Sequence, residues 1–210
     1  MFDIIKAAGW PIWPLLVASV IAVALIIERL IMLRREKVLP AGLFDKVVDA
    51  YERQGVSPQL IDNLGRDSAL GRVLAAGLRN NRSPRPVMKE AIEEEGRAVT
   101  HDLERYLTTL GTIASIAPLM GLFGTVIGMI EIFGSQSPSG TNPQQLAHGI
   151  SIALYNTAFG ILIAIPAMIF FRYFRGKVED FVVNMEQQAA RLVDVVHGDR
   201  ELRPRVEPAR

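Results

Sequence analysis

The sequence predicts an all-α membrane protein with three transmembrane helices, of which the second and third continue as long cytoplasmic helices. Half of the 210 residues are hydrophobic, yet 21% are charged, and the long apolar runs are confined to three stretches of the chain. A bilayer core about 30 Å thick needs roughly 20 helical residues to cross it. Each of the three stretches is close to this length, so we expect each one to span a membrane.

The first span lies within residues 1–33 and is interrupted by Glu28 and Arg29. A secretory signal peptide is the alternative, because the run is N-terminal and its unbroken apolar part is short. Only one basic residue precedes it, no Ala-x-Ala-like cleavage site follows, and apolar sequence resumes after the charged pair. We therefore expect a retained helix with this pair at the membrane interface.

The second and third spans are longer apolar runs, and we assign them to residues 110–133 and 150–172. Glu131 is the one acidic or basic residue of the second span, and Ile150 to Phe171 contains none. Residues 134–149 form a short loop between the spans.

The distribution of basic residues predicts the orientation of the spans. Basic residues follow the first span and the third span: Arg34, Arg35, Lys37, Arg172, Arg175 and Lys177. The loop at 134–149 has no Lys or Arg. Because positive residues collect on the cytoplasmic side, we expect the N-terminus and this loop outside, and residues 34–109 and the C-terminus inside.

The cytoplasmic domain at 34–109 shows helical periodicity. Two short helices are predicted by the apolar faces Phe44, Val47, Val48, Tyr51 and Leu70, Val73, Leu74, Leu78. A longer face comprises Met88, Ile92, Val99, Leu103, Tyr106 and Leu110. No helix breaker separates this face from the second span, so we expect one unbroken helix from the region of Pro86 into the membrane.

The third span is also expected to continue into the cytoplasm, over residues 173–198. Its apolar face comprises Phe174, Val178, Phe181, Met185, Ala189, Leu192 and Val196. At the other end, Asn142 followed by Pro143 is a helix-start signal. Residues 199–210 are rich in Arg, Pro and Glu and are predicted to be disordered.

The residue inventory does not favour catalysis. The chain has no cysteine, its histidines are scattered, and no glycine-rich loop follows a strand. We therefore expect no enzyme activity, no cofactor, no metal site and no nucleic-acid partner. The remaining candidate chemistry lies inside the membrane.

Small and weakly polar residues recur at helical spacing on both long spans. The second span carries Gly111, Ser115, Pro118, Gly121, Thr125 and Gly128, and the third carries Ala153, Thr157, Gly160, Ala164 and Ala167. Such residues let helices approach closely in lipid. Alternatively, Thr125, Thr157 and Asn156 line a polar pathway, where they bind an ion, water or a partner's carboxyl group. Spacing alone leaves both interpretations open.

The two long spans resemble a known pair of helices. The second, LGTIASIAPLMGLFGTVIGMIEIF, and the third, GISIALYNTAFGILIAIPA, are similar to the signature helices of the ExbB/TolQ/MotA family of ion-driven motor subunits, and most similar to ExbB. The predicted topology matches as well. The resemblance is strong over residues 107–175 and looser over residues 10–106.

The resemblance implies a bacterial inner-membrane protein with a periplasmic N-terminus and a cytoplasmic C-terminus. It implies a homopentamer that encloses two copies of an ExbD-like single-span partner, whose aspartate carries the proton. Proton flow would then energise a TonB-like protein that acts on outer-membrane transporters. By the same resemblance, Thr125 and Thr157 face the partner's aspartate.

One position departs from the family pattern. ExbB and TolQ have a glutamate in the third span, in the context Gly-Ile-x-Glu-Ala-Leu, where this chain has Ile152. If proton passage requires that glutamate, the chain is a non-conducting scaffold. A TolQ-like role in envelope integrity and division is a further alternative, and sodium is an alternative to protons.

Overall fold

The structure, a computed structural model, describes residues 9–134 and 143–198, and these residues form helices and connecting turns without any strand. The helices are α1 (Ile12–Met32), α2 (Arg35–Val38), α3 (Leu43–Gln54), α4 (Pro58–Asp67), α5 (Ala69–Arg79), α6 (Arg85–Glu104), α7 (Leu107–Gly134) and α8 (Pro143–Val196). The all-α prediction is thereby confirmed.

Three helical stretches of the described chain are long and apolar enough to cross a membrane, as predicted: Ile12–Met32, Arg85–Gly134 and Gly149–Val196. At 1.5 Å per residue, α1 is about 32 Å long, which matches the hydrocarbon thickness. Many large apolar side chains on these stretches are exposed, including Leu119 and Leu162 at 63% and 66%. A protein in water rarely exposes so much apolar surface, whereas lipid accommodates it.

The chain forms two compact units, of which the first comprises Met1–Leu30 and Tyr106–Arg175. Its small core centres on Leu15 of α1, which is fully buried against Ala117 of α7 and Ala164 of α8. The ring of Trp10 meets that of Phe123 edge-on, with 6.3 Å between centroids. These contacts hold α1 against the two longer helices.

The second unit comprises Ile31–Arg105 and Gly176–Arg210. Its core contains the apolar faces that the sequence predicts for α3, α5 and α8: Phe44, Val47, Val48, Leu70, Val73, Leu74, Leu78, Val178, Phe181, Met185, Ala189 and Leu192. The hydroxyl groups of Ser57 and Ser68 accept hydrogen bonds from the first turns of α4 and α5, which satisfies backbone donors that helix starts leave unpaired. Helix α4 is not among the helices that the sequence predicts.

Ion pairs connect the helices of this second unit. Arg72 of α5 contacts Glu95 at 2.8 Å and Asp102 at 2.6 Å, both on α6. The hydrogen bond from Arg72 lowers the pKa of the Asp102 carboxyl group. Arg85 at the start of α6 contacts Asp194 near the end of α8 at 2.6 Å.

The predicted unbroken helix from the region of Pro86 into the second span is wrong. Helix α6 ends at Glu104 and α7 begins at Leu107, because Arg105 is extended and Tyr106 has a φ of 63°. A left-handed residue that is not glycine costs roughly 1–2 kcal/mol. The Arg29 guanidinium lies 5.4 Å from the centroid of the Tyr106 ring, and a cation–π contact of this kind contributes about 0.5–1 kcal/mol against this cost.

The apolar face that the sequence predicts from Met88 to Leu110 is also interrupted at this break. Leu110 is fully buried, but Tyr106, predicted to share that face, is 39% exposed. Helix α8, by contrast, runs without a break from Pro143 to Val196, as predicted for the third span and its continuation. The proposed cap Asn142 and the tail 199–210 lie outside the described residues.

Candidate functional site

The candidate site lies where α7 and α8 cross within the first unit. Gly121 is so close to α8 that a Cβ atom there would lie 2.6 Å from the Asn156 carbonyl oxygen. A Cβ atom on Gly160 would lie 2.5 Å from the Ala117 carbonyl oxygen and 3.2 Å from the Gly121 Cα atom. Glycine is therefore the residue that permits this approach from both helices.

Thr125 and Thr157 meet beside this crossing. Their hydroxyl oxygens are 2.5 Å apart, and the Thr125 oxygen is 3.0 Å from the carbonyl oxygen of Ala153 and 3.2 Å from that of Gly121. A hydroxyl group carries one proton and two lone pairs, so the pair forms a short hydrogen-bonded chain between the helices. Both threonines are half-buried, which leaves this chain accessible from outside the unit.

Asn156, the third predicted pathway residue, is only 1% exposed. Its side chain fills the space beside Gly124, where an added Cβ atom would lie 2.9 Å from the Asn156 Cβ and Cγ atoms. Asn156 is thus an internal packing residue of the helix pair. Within the unit it does not offer the same access as the two threonines.

The other predicted stripe residues divide into two groups. Gly128 and Ala164 lie in helix contacts, the former against Ala153, and Gly111 lies beneath the Phe171 ring. Ser115 is exposed and donates a hydrogen bond to the Gly111 carbonyl oxygen of its own helix. Pro118 is half-buried.

The buried face of α7 follows a slightly different register from the predicted stripe. It comprises Leu107, Leu110, Ala114, Ala117, Gly121 and Gly124. Ala114, Ala117 and Gly124 are not part of the predicted stripe, although their small side chains recur at the same spacings of three and four residues. No comparable pattern marks Leu15, because its contacts are with Ala117 and Ala164, which lie far from it in the sequence.

Acidic and basic side chains are absent from the immediate sequence around the threonine pair. Glu131 is exposed and lies six residues beyond Thr125, and the apolar run of α8 has no charged residue up to Arg172. The side chain of Ile152 lies outside the described residues. The threonine pair thus offers hydrogen-bond donors and acceptors, but neither hydroxyl group is itself an acid or a base.

Comparison with known proteins places this arrangement in a family. The model of the family described as the MotA/TolQ/ExbB proton channel family matches residues 66–187, which include the threonine pair. An ExbB-like biopolymer transport protein of Synechocystis sp. is 31% identical, over 86% of this chain and 88% of its own length.

Two bacterial relatives have more specific names. The biopolymer transport protein exbB1 of Vibrio cholerae is 31% identical over 76% of this chain and 72% of its own length. The biopolymer transport protein ExbB of Salmonella typhimurium is 28% identical over 74% of this chain and 63% of its own length. The resemblance inferred from the two signature helices is thereby confirmed.

Proposed function

The chain belongs to the MotA/TolQ/ExbB proton channel family, and from this premise we propose that it is an ExbB-like subunit of a proton-driven motor in a bacterial inner membrane. Together with an ExbD-like single-span partner it forms a proton channel that energises a TonB-like protein and, through it, outer-membrane transport. The observation that carries this proposal is the hydroxyl pair of Thr125 and Thr157, which is accessible and lies in apolar surroundings.

The pair is able to serve both protonation states of a partner carboxyl group. In one orientation, Thr125 donates to Thr157 and Thr157 donates outward to a carboxylate. In the other, a protonated carboxyl group donates to Thr157, Thr157 donates to Thr125, and Thr125 donates to the Ala153 carbonyl oxygen 3.0 Å away. Reversal of two hydroxyl rotors therefore accompanies loss or gain of the proton without moving either helix.

The partner supplies the titrating group in this proposal. A carboxylate in lipid is costly unless it is hydrogen-bonded or faces a polar cavity. An ExbD-like aspartate beside Thr157 would obtain such a bond, and its proton would cross the apolar region with it. This division of labour also explains how the chain would function with Ile152 where the family pattern has glutamate.

Membrane assembly and orientation follow the same proposal. Five copies surround two copies of the partner, with the N-terminus in the periplasm and the C-terminus in the cytoplasm. The exposed apolar side chains of the first unit, such as Leu119 and Leu162, then contact lipid or neighbouring copies. Mass measurement of the complex in detergent, with and without the partner, tests the stoichiometry.

The direct test is proton flux into liposomes that contain the full chain and an ExbD-like partner. Thr157→Val removes the hydroxyl group at nearly constant volume, and we expect flux to fall at least about tenfold, the change for about 1.4 kcal/mol in a barrier. Thr157→Ser, which retains the hydroxyl, should conserve most of the flux. Thr112→Val is the matched control, because Thr112 is exposed and bonds only to the Thr108 carbonyl oxygen of its own helix.

Unchanged flux in Thr157→Val would refute the role assigned to the pair. A non-conducting scaffold is the second candidate function, and the replacement of the family glutamate by Ile152 favours it. A scaffold function predicts no proton flux in liposomes that contain both the unmodified chain and its partner.

A further inference from the structure

A row of exposed apolar side chains runs along α8 within the first unit. Leu162, Ile165 and Ile169 are 66%, 56% and 60% exposed. With 3.6 residues per turn, the three side chains point within about 60° of one another, and together we call them the α8 stripe. Thr157 points about 120° away from Ile169, so the α8 stripe and the threonine pair lie on different faces of the helix.

The α8 stripe ends at a basic and an aromatic residue. Arg172 is the first charged residue after the uncharged run that begins at Ile150, and Tyr173 follows it. Both are exposed, and both point within about 60° of Ile169. The centroid of the Tyr173 ring lies 5.5 Å from that of Phe174, which is fully buried. Tyrosine and arginine at the end of an apolar stripe are typical of the level at which acyl chains meet phosphate head groups.

The charge of Arg172 is not balanced by its own part of α8. Residues 168–176 cover one turn of the helix on either side of it, and none of them is Asp or Glu. The next basic residue, Arg175, has Glu179 one turn beyond it and points about 120° away from Ile169. Arg172 is therefore the cation that borders the α8 stripe, and it suits an anionic group from another molecule.

The acidic residues of the first unit argue against a second copy of this chain as that molecule. Its two ranges, 1–30 and 106–175, contain Asp3, Glu28 and Glu131. Glu28 already pairs with Arg29 at 2.9 Å. Asp3 precedes α1 and Glu131 lies near the end of α7, whereas Arg172 belongs to the membrane face at which α1 ends and α7 begins. The first unit of a copy in the same orientation therefore has no other acidic side chain at this level.

We propose that the α8 stripe and Arg172 bind an anionic phospholipid. Its acyl chains lie along the stripe, and its phosphate group accepts hydrogen bonds from the Arg172 guanidinium, which presents several donors to phosphate oxygens. A zwitterionic lipid carries its own cation beside the phosphate, so Arg172 favours a head group with a net negative charge, as in phosphatidylglycerol. This inference requires that α8 spans a membrane, and it is independent of the proton channel in the proposed function.

Quenching of tryptophan fluorescence by brominated lipids tests the proposal in a bilayer. The chain has two tryptophans, Trp10 and Trp13, so Trp10→Phe with Trp13→Phe gives a background in which Tyr173→Trp alone reports on the site. The full chain is reconstituted into phosphatidylcholine with increasing fractions of brominated phosphatidylglycerol or of brominated phosphatidylcholine. Because the bromine atoms are on the acyl chains, a bound lipid quenches the fluorescence and free phosphate does not. We expect about fivefold preference for phosphatidylglycerol, the effect of one basic residue at an anionic membrane surface.

Two variants distinguish a specific site from general surface charge. Arg172→Gln should reduce the preference to less than about twofold. Arg175→Gln is the matched control, because it removes the same charge from an exposed position three residues away on a different face, and at least about half of the preference should remain.

A second measurement avoids the tryptophan substitutions. The unmodified chain, Arg172→Gln and Arg175→Gln are each purified from membranes in mild detergent, and the bound phospholipid is identified by native mass spectrometry. Phosphatidylglycerol should remain on the unmodified chain and on Arg175→Gln, and it should be depleted from Arg172→Gln.

Three results would overturn the inference. Equal quenching by the two brominated lipids would mean that the site does not select an anionic head group. Absence of quenching by either lipid would mean that protein, either another copy or a partner, covers the α8 stripe. Equal losses of preference in Arg172→Gln and Arg175→Gln would mean that the overall positive charge of this membrane face attracts the lipid.

Discussion

Gly160→Ala adds a single methyl group at the crossing of α7 and α8, and its cost follows from the distances there. The new Cβ atom would lie 2.5 Å from the Ala117 carbonyl oxygen, whereas ordinary contacts begin at 3.4 Å. The neighbours are backbone atoms, which cannot rotate away as a side chain does. The helices must therefore separate by about 0.9 Å at this point, the difference between the two distances.

This separation has two energetic consequences. Overpacking of a close contact costs about 1–3 kcal/mol. It also lengthens the nearby bond between Thr125 and Thr157 from 2.5 Å towards the limit of a hydrogen bond, and such a bond between membrane helices contributes about 0.6 kcal/mol. The sum is about 1.6–3.6 kcal/mol, which lowers Tm by about 3–14 °C for a chain of this size.

The assay is thermal unfolding of the full chain in one detergent, followed by circular dichroism. Gly176→Ala is the matched control, because it lies on the same helix α8 and its added methyl group meets nothing within 4 Å. Gly128→Ala should fall between the two variants, since its Cβ atom would lie 3.1 Å from the Ala153 Cβ atom. If Gly160→Ala melts within about 1 °C of Gly176→Ala, the helices do not cross where the structure has them.

Two further predictions concern the second unit. Leu192→Ala removes a fully buried side chain and should lower the free energy of unfolding, measured with denaturant, by about 2–5 kcal/mol. Gln187→Ala, at an exposed position of the same helix, should lower it by less than about 0.5 kcal/mol. Equal losses would contradict the packing of α8. Arg72→Gln breaks the ion pairs with Glu95 and Asp102, each of which should contribute about 0.2–1 kcal/mol at neutral pH. The Arg72 hydrogen bond lowers the pKa of Asp102 from 3.8, so the stabilisation by this pair is present above pH 3.8 and is lost as the pH falls through the lowered pKa. The unfolding curves of the unmodified chain and of Arg72→Gln should therefore converge in acid. A difference that persists there would refute the pair.

The sequence was sufficient for features that depend on local chemistry and periodicity. The apolar runs identify three spans because lipid excludes charged side chains over a fixed thickness. The buried faces of α3, α5 and α8 follow from their helical spacing, since each face meets one core. The threonines stand out because polar groups are uncommon in such runs.

Tertiary contacts decided the remaining features. The break at Tyr106 has no glycine or proline to announce it, and Arg29, remote in sequence, lies against that ring. The contact face of α7 runs through Ala117 and Gly124 rather than Ser115, because its register depends on where α1 and α8 pack. For the same reason, the hydrogen bond between Thr125 and Thr157 required the structure: a stripe of small residues permits a close crossing, but its partner helix determines which hydroxyl groups meet.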